Sequence, residues 1–320
     1  MTTDNPPPQE DSPLKLAEYV VPSYAPAHPN KLERLIKWGK IIVFSVVVFA
    51  VVIGTWGHSR WARDADARVQ AMEAANPTAR PQRYFDTELE GLPPVVARYF
   101  SKVLNLHQPV VSRLYLEQTG TMNRSTEGPE NWIPFTAWQR VTTKRPGFVW
   151  DASMTMPPGI TVRVVDAYVA GVGSLQPSVF GLIDIGGVQG GSDMARGELI
   201  RYFAECVWYP TALLPSQGVQ WKAVDAQTAR ATMTDGPLTV SLSFTFNAED
   251  GTVARIASDE RGALINGAMV QMPWEVILSD YRQVSGMVVP YAAEVAWQTP
   301  AGRLPYWRGK IAKLDYEMPR

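Results

Sequence analysis

Carboxylates are the side chains best placed for chemistry in this chain. Asp151, Asp166, Glu205, Asp259 and Glu260 lie in or beside apolar segments, with Arg201, Arg261 and Arg308 available to pair with them. Two carboxyls held across a cleft can act as general acid and general base. A hydrolase would be built around Glu205 with Asp166 or Asp259, and the candidate polar site is Asp166, Arg201, Glu205 and Arg308. Glu198, Arg201 and Glu205 also stand at i, i+3 and i+7. That is the spacing of an ordinary ion-pair stripe, and this plainer reading outweighs catalysis.

Other chemistry is poorly supplied. The chain has three histidines, and only His107 belongs to the main domain; it precedes Pro109 and reads as a loop residue. Nothing beside it resembles a nucleophile elbow. One histidine and the single Cys206 make a poor zinc set, so neither metal nor cofactor is expected. Cys206 falls on the apolar stripe of a helix, where a buried inert thiol is the default. The run Gly186-Gly187-Val188-Gln189-Gly190-Gly191 fits neither phosphate-loop spacing, and Asp193 follows it, so a flexible turn or lid is the better account. A non-enzymatic role is therefore favoured.

Aromatic side chains offer a different kind of site. Trp150, Trp208, Trp297 and Trp307 are the candidate lining of a pocket for a lipid-like or other apolar ligand, although such residues more often fill a core. Charge is balanced, with 30 basic and 31 acidic residues, so no nucleic-acid partner is expected.

The elements that must position these groups fall into four segments. Residues 1–30 are Pro-rich and read as a disordered tail. An apolar run from Ile41 to Trp56 carries no charge between Lys40 and Arg60, and Trp38 and Trp56 flank it about 27 Å apart in a helix. Residues 35–57 thus read as a transmembrane helix and the membrane as a partner. Lys31, Arg34, Lys37 and Lys40 precede the run; Arg60, Arg63 and Arg68 follow it, diluted by Asp64 and Asp66. That bias places the N-terminus in the cytoplasm and the main domain outside it. Residues 58–81 read as a juxtamembrane stalk, helical from Trp61 to Ala75, and residues 82–320 as the main domain.

Within that domain two helices are expected. Leu92–Leu104 has apolar residues at i, i+3 and i+4, and Ala195–Tyr209 ends at Pro210. The rest alternates as strand. Leu238, Val240, Leu242, Phe244 and Phe246 interleave with hydroxyl-rich positions, and Asp250-Gly251 turns the chain into Val253–Ser258. Some ten strands and two helices predict an α+β domain: a large curved antiparallel sheet, an open or half-closed barrel, packed on one or two helices.

Four segments carry a family resemblance: Leu92-Pro93-Pro94-Val95-Val96-Ala97-Arg98-Tyr99-Phe100, Gly147-Phe148-Val149-Trp150-Asp151-Ala152, the stretch from Arg201 to Pro215, and Pro305-Tyr306-Trp307-Arg308-Gly309. Across most of Gly91–Tyr316 the chain resembles an uncharacterised bacterial membrane-anchored family of unknown function. That resemblance implies a bacterial cytoplasmic (inner) membrane location, single-pass, and no established activity. The architecture and the segment Tyr281–Pro290 also resemble the LolA and LppX lipoprotein carriers, in which a curved sheet holds an acyl chain. The expected function is binding of a lipid-like or other apolar ligand; the alternatives are a carboxylate-dependent hydrolase and a structural component of an envelope complex.

Overall fold

The structure is a computed structural model describing residues 1–2, 30–125, 129–157, 159–265 and 268–319. Nearly all of the expected Pro-rich tail lies outside the described residues. Residues 1–52 form one compact unit and residues 53–320 a second. In the first, helix α1 (Lys31–Ala75) begins. Its best 18-residue window has a mean hydropathy of 2.3 and is wholly exposed. By length and composition that helix can cross a membrane.

In the second unit the sequence alternates strand by strand. The first group is β1 (Arg113–Asn123), β2 (Trp132–Thr142), β3 (Gly147–Met156), β4 (Ile160–Val169), β5 (Val172–Val179), β6 (Ile183–Asp184) and β7 (Val188–Gln189). The second is β8 (Gln220–Ala223), β9 (Thr228–Asp235), β10 (Leu238–Phe246), β11 (Val253–Ile265), β12 (Ala268–Val284), β13 (Met287–Thr299) and β14 (Gly302–Glu317). All belong to one antiparallel sheet, ordered β6-β5-β4-β3-β2-β1-β14-β13-β12-β11-β10-β9-β8 with β7 beside β5. The sheet is two meanders joined by the first and last strands, and its path ends at β6 and β8 without closing among the described residues. This is the curved antiparallel α+β architecture expected from the pattern.

Helix α2 (Pro94–Val103) begins on consecutive prolines and buries Val96, Tyr99, Phe100 and Val103. Helix α3 (Ser192–Glu205) runs on into short 3-10 turns and forms the crossover between the meanders. It packs against β4 and β5 of one meander and β10 and β11 of the other, so the sheet curls around it. The expected buried stripe Leu199, Tyr202, Phe203 and Cys206 is fully covered. Glu198, expected on the solvent face, is covered as well.

The segment from Gly57 to Met72 does not stand free. Trp61, Ala65, Val69 and Met72 pack on Val149, Val165 and Ala167, a second apolar cluster on the other face of β3 and β4. That explains why Phe148, Val149, Trp150, Asp151 and Ala152 are all buried: β3 has core on one side and α1 on the other. Trp61 Nε1 donates to Asp151 Oδ1 at 3.0 Å, so this carboxylate is held by the helix covering it.

Candidate functional site

Between α3 and the concave face of the sheet lies a cavity of about 240 Å³. That is far more than the roughly 10–15 Å³ one water needs. Trp150, Trp208, Trp297 and Trp307 all line it, together with Trp274 and Tyr306. Strand alternation puts them there. Phe148, Trp150 and Ala152 share the inner face of β3, while Val149 and Asp151 face α1. The rings buttress one another: Trp297 stacks on Tyr306 at 5.6 Å between centroids, and Trp307 packs on Phe135 at 5.6 Å. Aliphatic and thioether side chains, Val164, Leu175, Met194 and Met269 among them, complete an apolar wall.

The polar part of the lining comes from α3 and two strands. Arg201 lies over the rings of Phe148 and Trp150, at 4.8 and 4.9 Å. It pairs with Asp166 through Nη1 and with Glu205 through Nε at 2.8 Å. Glu205 also accepts from the buried Gln139 amide at 2.5 Å. Asp166, Arg201 and Glu205 are thus brought together at the cavity. One guanidinium pairs with both carboxylates, an arrangement that suits positioning better than proton transfer.

Arg308 is not at the cavity. β14 carries one extra residue, Tyr306, between Pro305 and Trp307, which pair with the adjacent Ala296 and Val295, so Tyr306 and Trp307 both reach the cavity. Alternation resumes after Trp307, and Arg308 faces outward. There it donates to Glu294 at 2.5 Å and lies over Trp132 at 4.1 Å. Asp259 is largely exposed, 3.6 Å from Arg230, so the Glu205–Asp259 pairing is not assembled. His107 sits in the turn after α2 with φ 63, its ring against Phe85. The glycine run before α3 is a succession of positive-φ turns, interrupted where Val188 pairs with Leu175.

Two charged lining residues, named in the sequence as a stripe residue and a pairing arginine, were not placed in the candidate site. Glu198 is 4% exposed and meets Arg261 at 3.5 Å. Burial pushes its carboxyl well above the usual carboxylate range and the charge of Asp166 adds to that, against the pull of Arg261 and Arg201. Arg261 reaches the cavity because of a β-bulge. Between Ser258 and Arg261 the strand carries one more residue than its partner, which runs from Trp274 to Met272. Without it Glu260, not Arg261, would be in phase with the inward Ile256 and Ser258. The guanidinium then lies 4.9 Å over the ring of Trp274 and 5.5 Å over that of Trp297.

The arrangement is an apolar, aromatic-lined cavity with a small, buried polar patch shared by α3, β4 and β11. Among the described residues no group of three or more His, Cys, Asp or Glu is placed to hold a metal ion.

Several solved structures are similar to parts of the chain at low identity. A putative outer membrane lipoprotein-sorting protein domain from Vibrio parahaemolyticus is 9% identical, covering 64% of this chain and 86% of that one, with a TM-score of 0.33. A DUF1329 family protein from Desulfovibrio piger is 11% identical over 65% of this chain and 86% of its own, with a TM-score of 0.35. A LolA superfamily protein from Nitrosomonas europaea is 7% identical, over 71% and 92%, with a TM-score of 0.31. No curated protein matches the chain. The family model matches residues 82–309, the stretch that builds the sheet, both domain helices and the cavity; the chain belongs to a family of unknown function, DUF6544.

Proposed function

We propose that this protein binds a lipid-like or other apolar ligand in the cavity between α3 and the sheet, and that residues 35–57 hold it in a membrane. On this reading it is a single-pass protein of the bacterial cytoplasmic membrane, with its N-terminus in the cytoplasm and the sheet domain on the other side. The observation that carries the proposal is the lining. Five tryptophans and one tyrosine, with methionine and branched side chains, surround a cavity of about 240 Å³ instead of filling it. The helix would keep the domain beside the phase in which such ligands dissolve, raising their effective concentration.

A photoactivatable fatty acid incorporated into membranes holding the full chain tests this. The expected adducts fall on segments bearing Met194, Met269 and Trp297. Adducts confined to residues 35–57 would show bulk lipid contact alone and refute the cavity as the site.

One observation favours a second reading, carboxyl-based hydrolysis: the buried Glu198, whose acid form is favoured next to Asp166. Glu198→Gln separates the two. An enzyme loses turnover in this variant, whereas a carrier has no turnover to lose.

A further inference from the structure

We propose that the cavity takes an amphiphile ending in a single carboxylate, anchored by Arg261; this rests on the apolar-ligand reading above. Among the described residues, five charged side chains line the cavity: Asp166, Glu198, Arg201, Glu205 and Arg261. Their pairing is uneven. Arg201 holds both Asp166 and Glu205. Arg261 has only Glu198, at 3.5 Å, long beside the roughly 2.7–2.9 Å of a charge-assisted hydrogen bond. Its remaining contacts are neutral: the Gly197 carbonyl at 3.2 Å and the Tyr306 hydroxyl at 3.3 Å.

Donors with no acceptor lie near this group. The Tyr306 hydroxyl accepts from Arg261 and, at 3.0 Å, from Trp274 Nε1, which leaves its own hydrogen to donate. Trp208 also lines the cavity, and its Nε1 is buried without an acceptor among the described residues. Besides Gln139 Oε1, which lies beyond the lining, the buried acceptors without partners are Glu198 Oε2 and Asp166 Oδ1 of the lining. A proton on Glu198, donated to Asp166, satisfies both at once, and burial beside Asp166 favours that acid form.

With Glu198 neutral, Arg261 is a buried cation with no carboxylate of its own, facing an apolar space. A ligand carboxylate replaces the charge that Glu198 gives up and accepts from Arg261, with Tyr306 beside it. The lining then holds two positive and two negative charges, and a ligand carboxylate returns the single excess negative charge that an ionised Glu198 would carry. A phosphate dianion would leave two in excess, with Arg201 already held by Asp166 and Glu205. The groups facing Glu198 are Asp166 from β4, Arg201 from its own helix and Arg261 from β11, so ionising Glu198 returns a competitor to Arg261. Ligand affinity should then fall as pH rises.

The test uses the full chain in lipid nanodiscs, with decanoate, decanol and decyl phosphate as probes and empty nanodiscs to correct for partition. Decanoate should bind at least about tenfold more tightly than decanol, as expected for one buried hydrogen-bonded charge, with decyl phosphate weaker than decanoate. Arg261→Met should abolish the preference for decanoate over decanol. Glu198→Gln preserves the shape and removes the competitor, so it should bind decanoate tightly from mildly acidic to mildly alkaline conditions, where the parent weakens. Equal binding of decanoate and decanol by the parent, or a preference that survives in Arg261→Met, would overturn the proposal. So would weaker decanoate binding in Glu198→Gln, the deciding variant if Arg261→Met does not fold. Binding of no probe would refute the apolar-ligand reading itself; binding of decanol without preference would refute only the carboxylate anchor.

Discussion

Replacing Trp61 by phenylalanine should destabilise the protein, and by an amount that depends on pH. Trp61 is 3% exposed and seats the second half of α1 on Val149, Val165 and Ala167. Phenylalanine keeps most of the apolar contact and removes the N–H that Asp151 accepts at 3.0 Å. Losing one hydrogen bond to a buried charged group costs about 1.5–3 kcal/mol. Asp151 is 7% exposed; burial raises its carboxyl pKa, and the Trp61 hydrogen bond and the charge of Arg163 only partly oppose that. Without Trp61 the pKa rises further.

The sign follows from linkage. A carboxyl whose folded pKa lies above its unfolded value gives its full stabilising share below the unfolded pKa and loses it as pH climbs through the folded one. The Trp61→Phe penalty should therefore be about 2 kcal/mol near neutrality and shrink below about 1 kcal/mol on acidification, where Asp151 is protonated in both proteins. Trp61→Ala should cost about 3–5 kcal/mol from lost packing, with the hydrogen-bond loss on top. Denaturant unfolding of the full chain, followed by circular dichroism at mildly acidic and neutral pH, measures both. A penalty below about 0.5 kcal/mol, the range of ordinary surface substitutions, would mean that the helix does not seat on the sheet in solution. A large penalty that ignores pH would mean that Asp151 is not the partner that matters.

Two further outcomes follow from packing. Cys206 is fully buried and burial pushes its thiol pKa up, so it should resist maleimide in the folded protein and react only once the chain unfolds; labelling at native conditions would contradict its place on the covered face of α3. Gly309 opposes Gly120 across β1 and β14, and a Cβ there would overlap the ring of Trp307. Gly309→Ala should thus cost about 1–3 kcal/mol. Gly197→Ala, whose Cβ meets nothing nearer than the Gly262 carbonyl at 3.9 Å, should be neutral or stabilising by up to about 1 kcal/mol. Unfolding midpoints compare the two directly.

Much of the architecture was legible because it rests on short-range periodicity. The interleaved hydroxyls of β10, the Asp250-Gly251 turn and the two prolines before α2 each declare an element locally. The inward tryptophans were legible as candidates because each sits in a segment of clear strand or helix pattern. β5 was not, since Gly173 and Pro177 interrupt its alternation and it pairs despite them. Arg261 was hidden for a sharper reason: one extra residue in β11 reverses which side chains face inward, and only the partner strand reveals it. Glu198 looked like a solvent-facing charge because its own helix offers a polar stripe. Nothing in that stripe says that the sheet wraps around both sides. The docking of α1 left a readable trace. Trp61, Ala65, Val69 and Met72 recur at helical spacing, and the unbroken apolar run Phe148-Val149-Trp150 requires cover on both faces.

The most direct test of the central claim is native mass spectrometry of the full chain released from a mild detergent after incubation with decanoate and with total membrane lipid. Truncation at residue 82 is to be avoided, since it strips Trp61 from Asp151 and uncovers Val149, Val165 and Ala167. The account predicts one bound lipid-range mass per chain, reduced when Trp297 is replaced by alanine in a protein that still folds. A chain that flies only at its own mass after both incubations would contradict it, and the cavity would then be a packing feature of the sheet.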